Sequence, residues 1–466
     1  MRILLVQLPP WTVFSPPIGL AYLLGALKQE GHEISVYDLN ILLYRGCQER
    51  AALWDDKNKV RFNLLETDKA LIDTHISKFL SFQPDIIGFS ATAASLEILN
   101  YCIHEVKSQN PIIKIIIGGS ISSDKQDWSK IQGAAYLTIN EAERSIRFIL
   151  DAFSSGKDLI PRDGVNVFAD KSNPSLICVE PESKPMPSDI VSPVFNLFPL
   201  DLYTSESISI SFSRGCVRRC TFCEDSPYLS PFRTRNPDVA AGEIEDIMKS
   251  TRIRIFQVND LLINGSIPFL DKFCDRIIAK RLHPFWSGQA IIRKEMTADL
   301  LKKMRIAGCT FLIYGIESFS EKIRLRMRKG SGSKIAEKVL MDTKRVGIRV
   351  GINLMVGFPG EKEGDIEDTI RSLRKLVMYI DQVNSLNLCN IREHTLLYDE
   401  YKKYGLKSKV MGLDFDDGTT LKERIGRLKR VYKVCRELGS TSSEGRSRRS
   451  SCKSGSQSQK ALLHYR

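Results

Sequence analysis

A chain of 466 residues is too long for one small domain, and 42% hydrophobic beside 26% charged residues is ordinary for a globular protein. No stretch reaches the ~20 apolar residues that span a bilayer, and the opening run, which stops at Pro9 and Pro10, lacks a signal-peptide pattern, so a cytoplasmic protein with no membrane partner is expected. The net charge of +13 does not mark a nucleic-acid-binding face: residues 421–466 carry 13 Lys/Arg against 3 Glu, which leaves +3 for the rest.

In chain order, the first 155 residues alternate strands (3–7, 33–38, 85–90, 114–120, 134–140) with helical segments, beginning with the Leu20, Leu23, Leu24 and Leu27 stripe that stops at Gly31. Strands apolar throughout are buried on both faces, so an α/β, doubly wound parallel sheet is expected, with ligands at the carboxyl ends of its strands. Residues 156–203, rich in Pro, Asp and Ser, read as a linker or small subdomain with weak strands near 164–169 and 175–180. A second unit over 204–405 starts at the strand 207–213, followed by strands at 253–258, 285–292, 310–316, 350–356 and 382–389 with helices between them. Six βα units imply a partial (β/α)6 barrel with its chemistry on loops after the strands. Residues 406–438 read as a helical extension. The Ser/Arg-rich tail over 439–466 is expected to be disordered, and any nucleic-acid binding is expected there.

Eleven cysteines are too sparse for a disulfide scaffold, and an odd number fits a reducing compartment. Cys102 and Cys274 fall on apolar helical stripes, and Cys435 has similar spacing, so these read as core. Cys216, Cys220 and Cys223 are different: C-x₃-C-x₂-C on one short loop, directly after the first strand of the second unit. A closed zinc site takes four ligands, usually as two separated pairs, and an electron-transfer cluster is normally closed by a fourth cysteine. Three ligands leave one iron of a 4Fe-4S cube open to bind something else.

With Phe222 just before the last cysteine, this loop resembles the signature of the radical S-adenosylmethionine (radical SAM) enzymes. The resemblance implies a 4Fe-4S cluster on Cys216, Cys220 and Cys223, and SAM on the open iron, split to methionine and a 5′-deoxyadenosyl radical. It implies further SAM contacts at the later strand ends: Asn259 and Asp260 for the methionine amino group, Arg293 for its carboxylate, Glu317 and Ser318 in GIES for the ribose, and the Gly357–Pro359 turn beside the adenine. Where the family usually has two acidic residues, this chain has Asn259 and Asp260.

The first unit resembles the cobalamin-binding domains that precede one radical SAM class. The matching pieces are Pro17 and Gly19 opening the first helix, Ser90 and Thr92 after the third strand, and Gly118, Gly119 and Ser120 after the fourth. Small residues there let a flat corrin ring approach the backbone. The Asp-x-His-x-x-Gly motif of other cobalamin proteins is absent, so cobalamin would lack a histidine ligand from that loop. The resemblance implies a cobalamin-dependent radical enzyme acting on a small molecule, most often by methylating an unactivated carbon, with a reducing partner such as flavodoxin or ferredoxin. Its rivals are a radical rearrangement or cyclisation; a methylthiotransferase, for which Cys47, Cys102 and Cys178 would have to hold a second cluster; and, from another class, a non-catalytic Fe-S or RNA-binding protein.

Overall fold

A computed structural model of the chain describes residues 1–28, 30–46, 54, 65–123, 125–184, 190–225, 229–330, 332–409 and 415–439. The chain divides into two compact units, Met1–Ile210 with Gly242–Ile255, and Ser211–Ala241 with Phe256–Arg466.

The first unit is built on β1 (Arg2–Gln7), α1 (Ile18–Lys28), β2 (Glu33–Asp38), α2 (Leu39–Gly46), α3 (Leu65–Ser81), β3 (Ile86–Ser90), α4 (Leu96–Gln109), β4 (Lys114–Gly118), β5 (Ala135–Thr138), α5 (Ala142–Ser155), β6 (Val165–Ala169) and β7 (Leu176–Pro181). Its seven-stranded sheet has the order β2-β1-β3-β4-β5-β7-β6. Ile3, Leu4, Leu5 and Val6 are buried because β1 lies inside the sheet, flanked by β2 and β3, and each large apolar side chain so covered contributes ~2 kcal/mol relative to exposure. The expectation of strands buried on both faces fails at β2, where only Asp38 is buried, because β2 is the sheet's edge. Two strands within the segment expected as a linker extend this sheet: β7 pairs with β5 in parallel, and β6 closes the edge antiparallel to β7. β1 pairs with β2 on one side and β3 on the other, so the crossovers diverge there and leave a crevice beyond the carboxyl ends of β1 and β3.

The later elements are β8 (Ser207–Ile210), β9 (Ser213–Arg214), β10 (Arg233–Thr234), α6 (Pro237–Thr251), β11 (Ile255–Val258), α7 (Ile267–Ala279), β12 (Phe285–Ala290), α8 (Ala298–Ile306), β13 (Cys309–Glu317), α9 (Glu321–Arg326), α10 (Ser333–Arg345), β14 (Arg349–Val356), α11 (Glu363–Lys375), β15 (Gln382–Leu388) and α12 (Leu421–Glu437). A six-stranded sheet has the order β15-β14-β13-β12-β11-β8, with β12 to β15 paired in parallel. Alternate residues such as Trp286, Leu312, Tyr314, Ile352 and Leu354 are buried. The core's polar tips are satisfied: Trp286 Nε1 donates to the Ala307 carbonyl at 2.9 Å, and Tyr314 shares a 2.8 Å bond with Thr343. Ser266, Thr297 and Ser320 cap α7, α8 and α9, each accepting a first-turn N–H, for about 1 kcal/mol apiece. Among the described residues no helix is long and apolar enough to cross a membrane.

Candidate functional site

The cysteine loop is anchored at both ends. Before it, the Asp260 carboxylate, fully buried just past β11, accepts from Ser211 Oγ (3.0 Å), the Phe212 N–H (2.9 Å) and Ser213 Oγ (2.6 Å). Burial pushes this carboxyl up to about 6 against those hydrogen bonds. At Gly215, φ is +83°, and a Cβ would lie 2.6 Å from the carbonyl oxygens of both Leu229 and Pro231, so only glycine admits this entry. Inside the loop, buried Thr221 donates its N–H to the Met327 carbonyl (3.2 Å) and accepts the Leu397 N–H on its own carbonyl (2.8 Å).

Cys216, Cys220 and Cys223 are half-buried, whereas Cys102, Cys178, Cys274, Cys309, Cys389 and Cys435 are buried. Burial, then the nearness of Cys220 and Cys223, push the Cys216 thiol up to about 11; the Arg218 N–H, 3.4 Å from its Sγ, and Lys329 act against them. Among the described residues no three His, Cys, Asp or Glu side chains converge on a single metal-ion position. A cube takes one thiolate on each of three irons and so accepts a spread set, and its sulfurs accept backbone N–H bonds of the Arg218 kind. The residues present fit such a group.

The end of β13 adds the second part of the site. Its pairing with β14 shifts register between Gly315 and Glu317, and Glu317 has φ +62°, a left-handed conformation rare for a residue with a side chain. Such strain persists only where surroundings enforce it. Here Lys329 does so: its Nζ lies 3.0 Å from Glu317 Oε1 and 3.2 Å from the Gly315 carbonyl. The same ammonium lies 5.3 Å from the centroid of the Phe222 ring, so the cysteine loop and the β13 end share one cation. Phe222 also packs against the cluster that contains Phe358, Met327, Leu397, Tyr404 and Phe415.

Phe358 belongs to the third part, the Gly357–Gly360 turn after β14. The Gly357 N–H donates to buried Glu361 Oε2 at 2.6 Å, and burial pushes Glu361 up to about 7. A Cβ at Gly357 (φ +78°) would press on the Arg424 side chain of α12 at 3.0 Å. Arg427 Nη1 donates to the Glu361 carbonyl (2.8 Å), Arg326 Nε donates to the Pro359 carbonyl (3.1 Å), and the Arg424 guanidinium sits 4.3 Å over Phe415.

The structure thus gathers Cys216, Cys220, Cys223, Phe222 and Glu317, with Gly357 and Pro359 on a turn joined to Phe222 through Phe358. Of the other expected residues, Asp260, Arg293 and Ser318 bond to neighbouring segments. Asn259 is exposed, while its neighbour Asp260 is turned inward onto 211–213. Arg293 donates through Nη1 to the Asn264 and Gly265 carbonyls (2.9 and 2.8 Å). Ser318, expected to offer its hydroxyl to a ribose, is buried beside Thr369 and caps the Ser320 N–H instead. Sequence reasoning missed Lys329 and Glu361; for Glu361 the available signal was the acid closing Gly-Phe-Pro-Gly-Glu.

In the first unit, Pro17 precedes and Gly19 opens α1, Ser90 ends β3 with Thr92 in the turn after it, and Gly118 ends β4 with Gly119 and Ser120 following. Gly119 (φ +91°) lies so close to the β3 loop that a Cβ would stand 2.5 Å from the Ala91 carbonyl oxygen, and one at Gly118 would stand 2.9 Å from Thr138 Oγ1. Gly119 is thus demanded by the β3 loop, and Gly118 by the neighbouring end of β5. Gly19 has open space around it, and Gly19, Gly119 and Ser120 are exposed. Thr92 shares a 3.1 Å bond with Ser95. Cys102 and Cys178 are fully buried, and Cys47 lies outside the described residues, as do 440–466 of the basic tail.

Residues 210–373 match the radical SAM superfamily, and residues 12–149 match the B12 binding domain. The chain therefore joins a B12-binding domain to a radical SAM domain. Among its relatives, an uncharacterized methyltransferase of Pyrococcus horikoshii is 23% identical over 391 residues, 81% of this chain and 78% of that one. The anaerobic magnesium-protoporphyrin IX monomethyl ester cyclase of Synechocystis is 23% identical over 407 residues, 83% and 74% of the two chains. Of solved structures, the cobalamin-dependent S-adenosylmethionine radical enzyme OxsB with aqua-cobalamin bound superposes with a TM-score of 0.65 at 15% identity, covering 86% of this chain but only 56% of its own. The radical SAM methyltransferase TsrM from Kitasatospora setae gives 0.62 at 17% identity, with 87% and 77% covered. At these identities the superpositions show the fold alone.

Proposed function

We propose that this protein is a cobalamin-dependent radical SAM enzyme that methylates an unactivated carbon of a small-molecule substrate. The observation that carries this reading is the half-buried cysteine trio joined through Phe222 and Lys329 to a strained Glu317. When bound, the cluster and SAM supply a 5′-deoxyadenosyl radical, and cobalamin supplies a methyl carrier. The three cysteines hold the cluster. Exposed Asn259 hydrogen-bonds the methionine amino group, and Arg293, fixed through Nη1, offers Nη2 to its carboxylate. Glu317, held by Lys329, accepts from the ribose hydroxyls, and Phe222 with the Gly357–Pro359 turn excludes water beside the adenine. Gly19, Gly119 and Ser120 would lie against cobalamin, and the first loop would give it no histidine. A one-electron donor of the flavodoxin or ferredoxin kind completes the system.

Cyclisation is the second reading, because the cyclase and the methyltransferase relatives share the same 23% identity with this chain. The test is anaerobic reconstitution with iron, sulfide and cobalamin, then reduction in the presence of SAM. Formation of 5′-deoxyadenosine is expected, and its absence overturns the radical reading. Corrin that fails to co-elute, with 5′-deoxyadenosine still formed, removes methyl transfer and leaves the radical enzyme.

A further inference from the structure

Two buried cations adjoin the cysteine loop, and one buried carboxylate lies with them. Lys329, with a side chain 9% exposed, reaches Glu317 and the Gly315 carbonyl and stands over Phe222. Arg324, 2% exposed, donates through Nη1 to the carbonyls of Ile316 (2.8 Å) and Ser318 (3.2 Å). Burial works against the charge on Lys329, but Glu317 and Cys220 outweigh it and hold the ammonium above its ordinary range. Of the carboxylates that act on Arg324, Glu317 has a side chain only 12% exposed, whereas Glu321 is exposed and taken up by Ser333.

A buried cation is costly unless an anion faces it. Two cations against Glu317 leave positive charge in excess beside Cys220. A three-thiolate 4Fe-4S cluster is anionic and gains a further negative charge on reduction, and cluster potentials follow the local charge. We propose that Lys329 is a positioning residue that raises the reduction potential of the cluster, that Glu317 opposes it, and that this pair sets how readily the electron is accepted. Gly315 fits the same arrangement: a Cβ there would stand 3.1 Å from both Lys329 Nζ and Glu317 Oε1.

The inference rests on the cluster assigned above, and the test separates the two. The full chain and its Lys329→Met, Lys329→Arg and Glu317→Gln variants are reconstituted anaerobically, their iron and sulfide are measured, and their potentials are titrated at pH 7.5 by electron paramagnetic resonance without SAM. Lys329→Met is expected to lower the reduced-to-oxidised ratio at fixed potential about tenfold, or ~59 mV for one electron. Lys329→Arg is expected to restore it, and Glu317→Gln to shift it the opposite way. A merely structural pair gives no such opposite signs, so an unmoved potential in Lys329→Met, or shifts of one sign in both charge-removing variants, overturns the proposal. Should Lys329→Met take up no cluster, Lys329→Gln and Glu317→Gln decide by the same criterion. No cluster in the unaltered chain overturns both this inference and the reading beneath it.

Discussion

Replacing Asp260 by Ala takes one acceptor away from three donors at the root of the cysteine loop. The Phe212 N–H cannot turn to another partner, and an orphaned buried donor costs ~1–3 kcal/mol. Ser213 Oγ loses a charge-assisted bond of a further ~1.5–3 kcal/mol, whereas Ser211 Oγ keeps the Ser213 carbonyl at 3.0 Å and loses little. Against this, the wild type holds an ionised carboxylate where burial has raised it from 3.8 to about 6. A folded-state value above the unfolded one means that the stability from protonation is fully present below 3.8 and lost as pH rises through about 6, a swing of ~3 kcal/mol. The Ala variant lacks that swing. Its cost is therefore greater at pH 5 than at pH 7.5, by about 1–2 kcal/mol, a factor of roughly 5 to 30 in local opening. Hydrogen exchange of residues 208–213, read on the protein without cluster or SAM at both pH values, measures it segment by segment. Equal protection in variant and wild type at pH 5, with SAM affinity lost instead, would show that Asp260 serves the ligand and refute the anchoring argument.

Three further outcomes are expected. Alanine at any one of Cys216, Cys220 or Cys223 abolishes a stoichiometric 4Fe-4S cluster, read by iron content and absorbance, whereas Cys102→Ala keeps the cluster and costs ~1–2 kcal/mol in thermal unfolding. Gly119→Ala costs about 2 kcal/mol or more in the first unit because of its φ of +91° and the Ala91 carbonyl, while Gly19→Ala in open space leaves unfolding unchanged and lowers only corrin retention. Glu361 carries its folded-state stabilisation below its unfolded value of 4.5 and loses it as pH rises through about 7, so Glu361→Gln should flatten the fall in melting temperature between pH 5 and pH 8, by up to ~3 kcal/mol.

What the sequence could reveal follows from the range of each signal. The cysteine spacing and the Gly-Phe-Pro-Gly turn are local patterns, whereas the alternating strand expected over 207–213 ends at Ile210. Local patterns do not carry side-chain direction across a sheet. Asp260 and Ser318 both follow strand ends and read as outward groups, yet the chain turns both inward, because the Phe212 N–H and the Ser320 N–H need acceptors. Lys329 was illegible because its role comes from a return at Gly330 that brings it back to Glu317. The glycines at 118 and 119 were read as room for a ring, whereas their contacts with Ala91 and Thr138 already require them. The edge position of β2 likewise depends on the order of strands, which no single segment encodes.

The backbone bonds of Thr221 have a practical bearing on where this protein can be cut. The superfamily match ends at residue 373, but the partner of the Thr221 carbonyl is Leu397, and the floor beneath Phe222 includes Tyr404 and Phe415. Arg424 and Arg427, later still, brace the Gly357 turn and Glu361. A fragment trimmed to the matched residues would keep every cysteine of the loop and lose the surface that shapes it. The smallest excised piece expected to assemble a cluster therefore runs through the end of α12, and a shorter one should express with intact thiols yet bind iron without order.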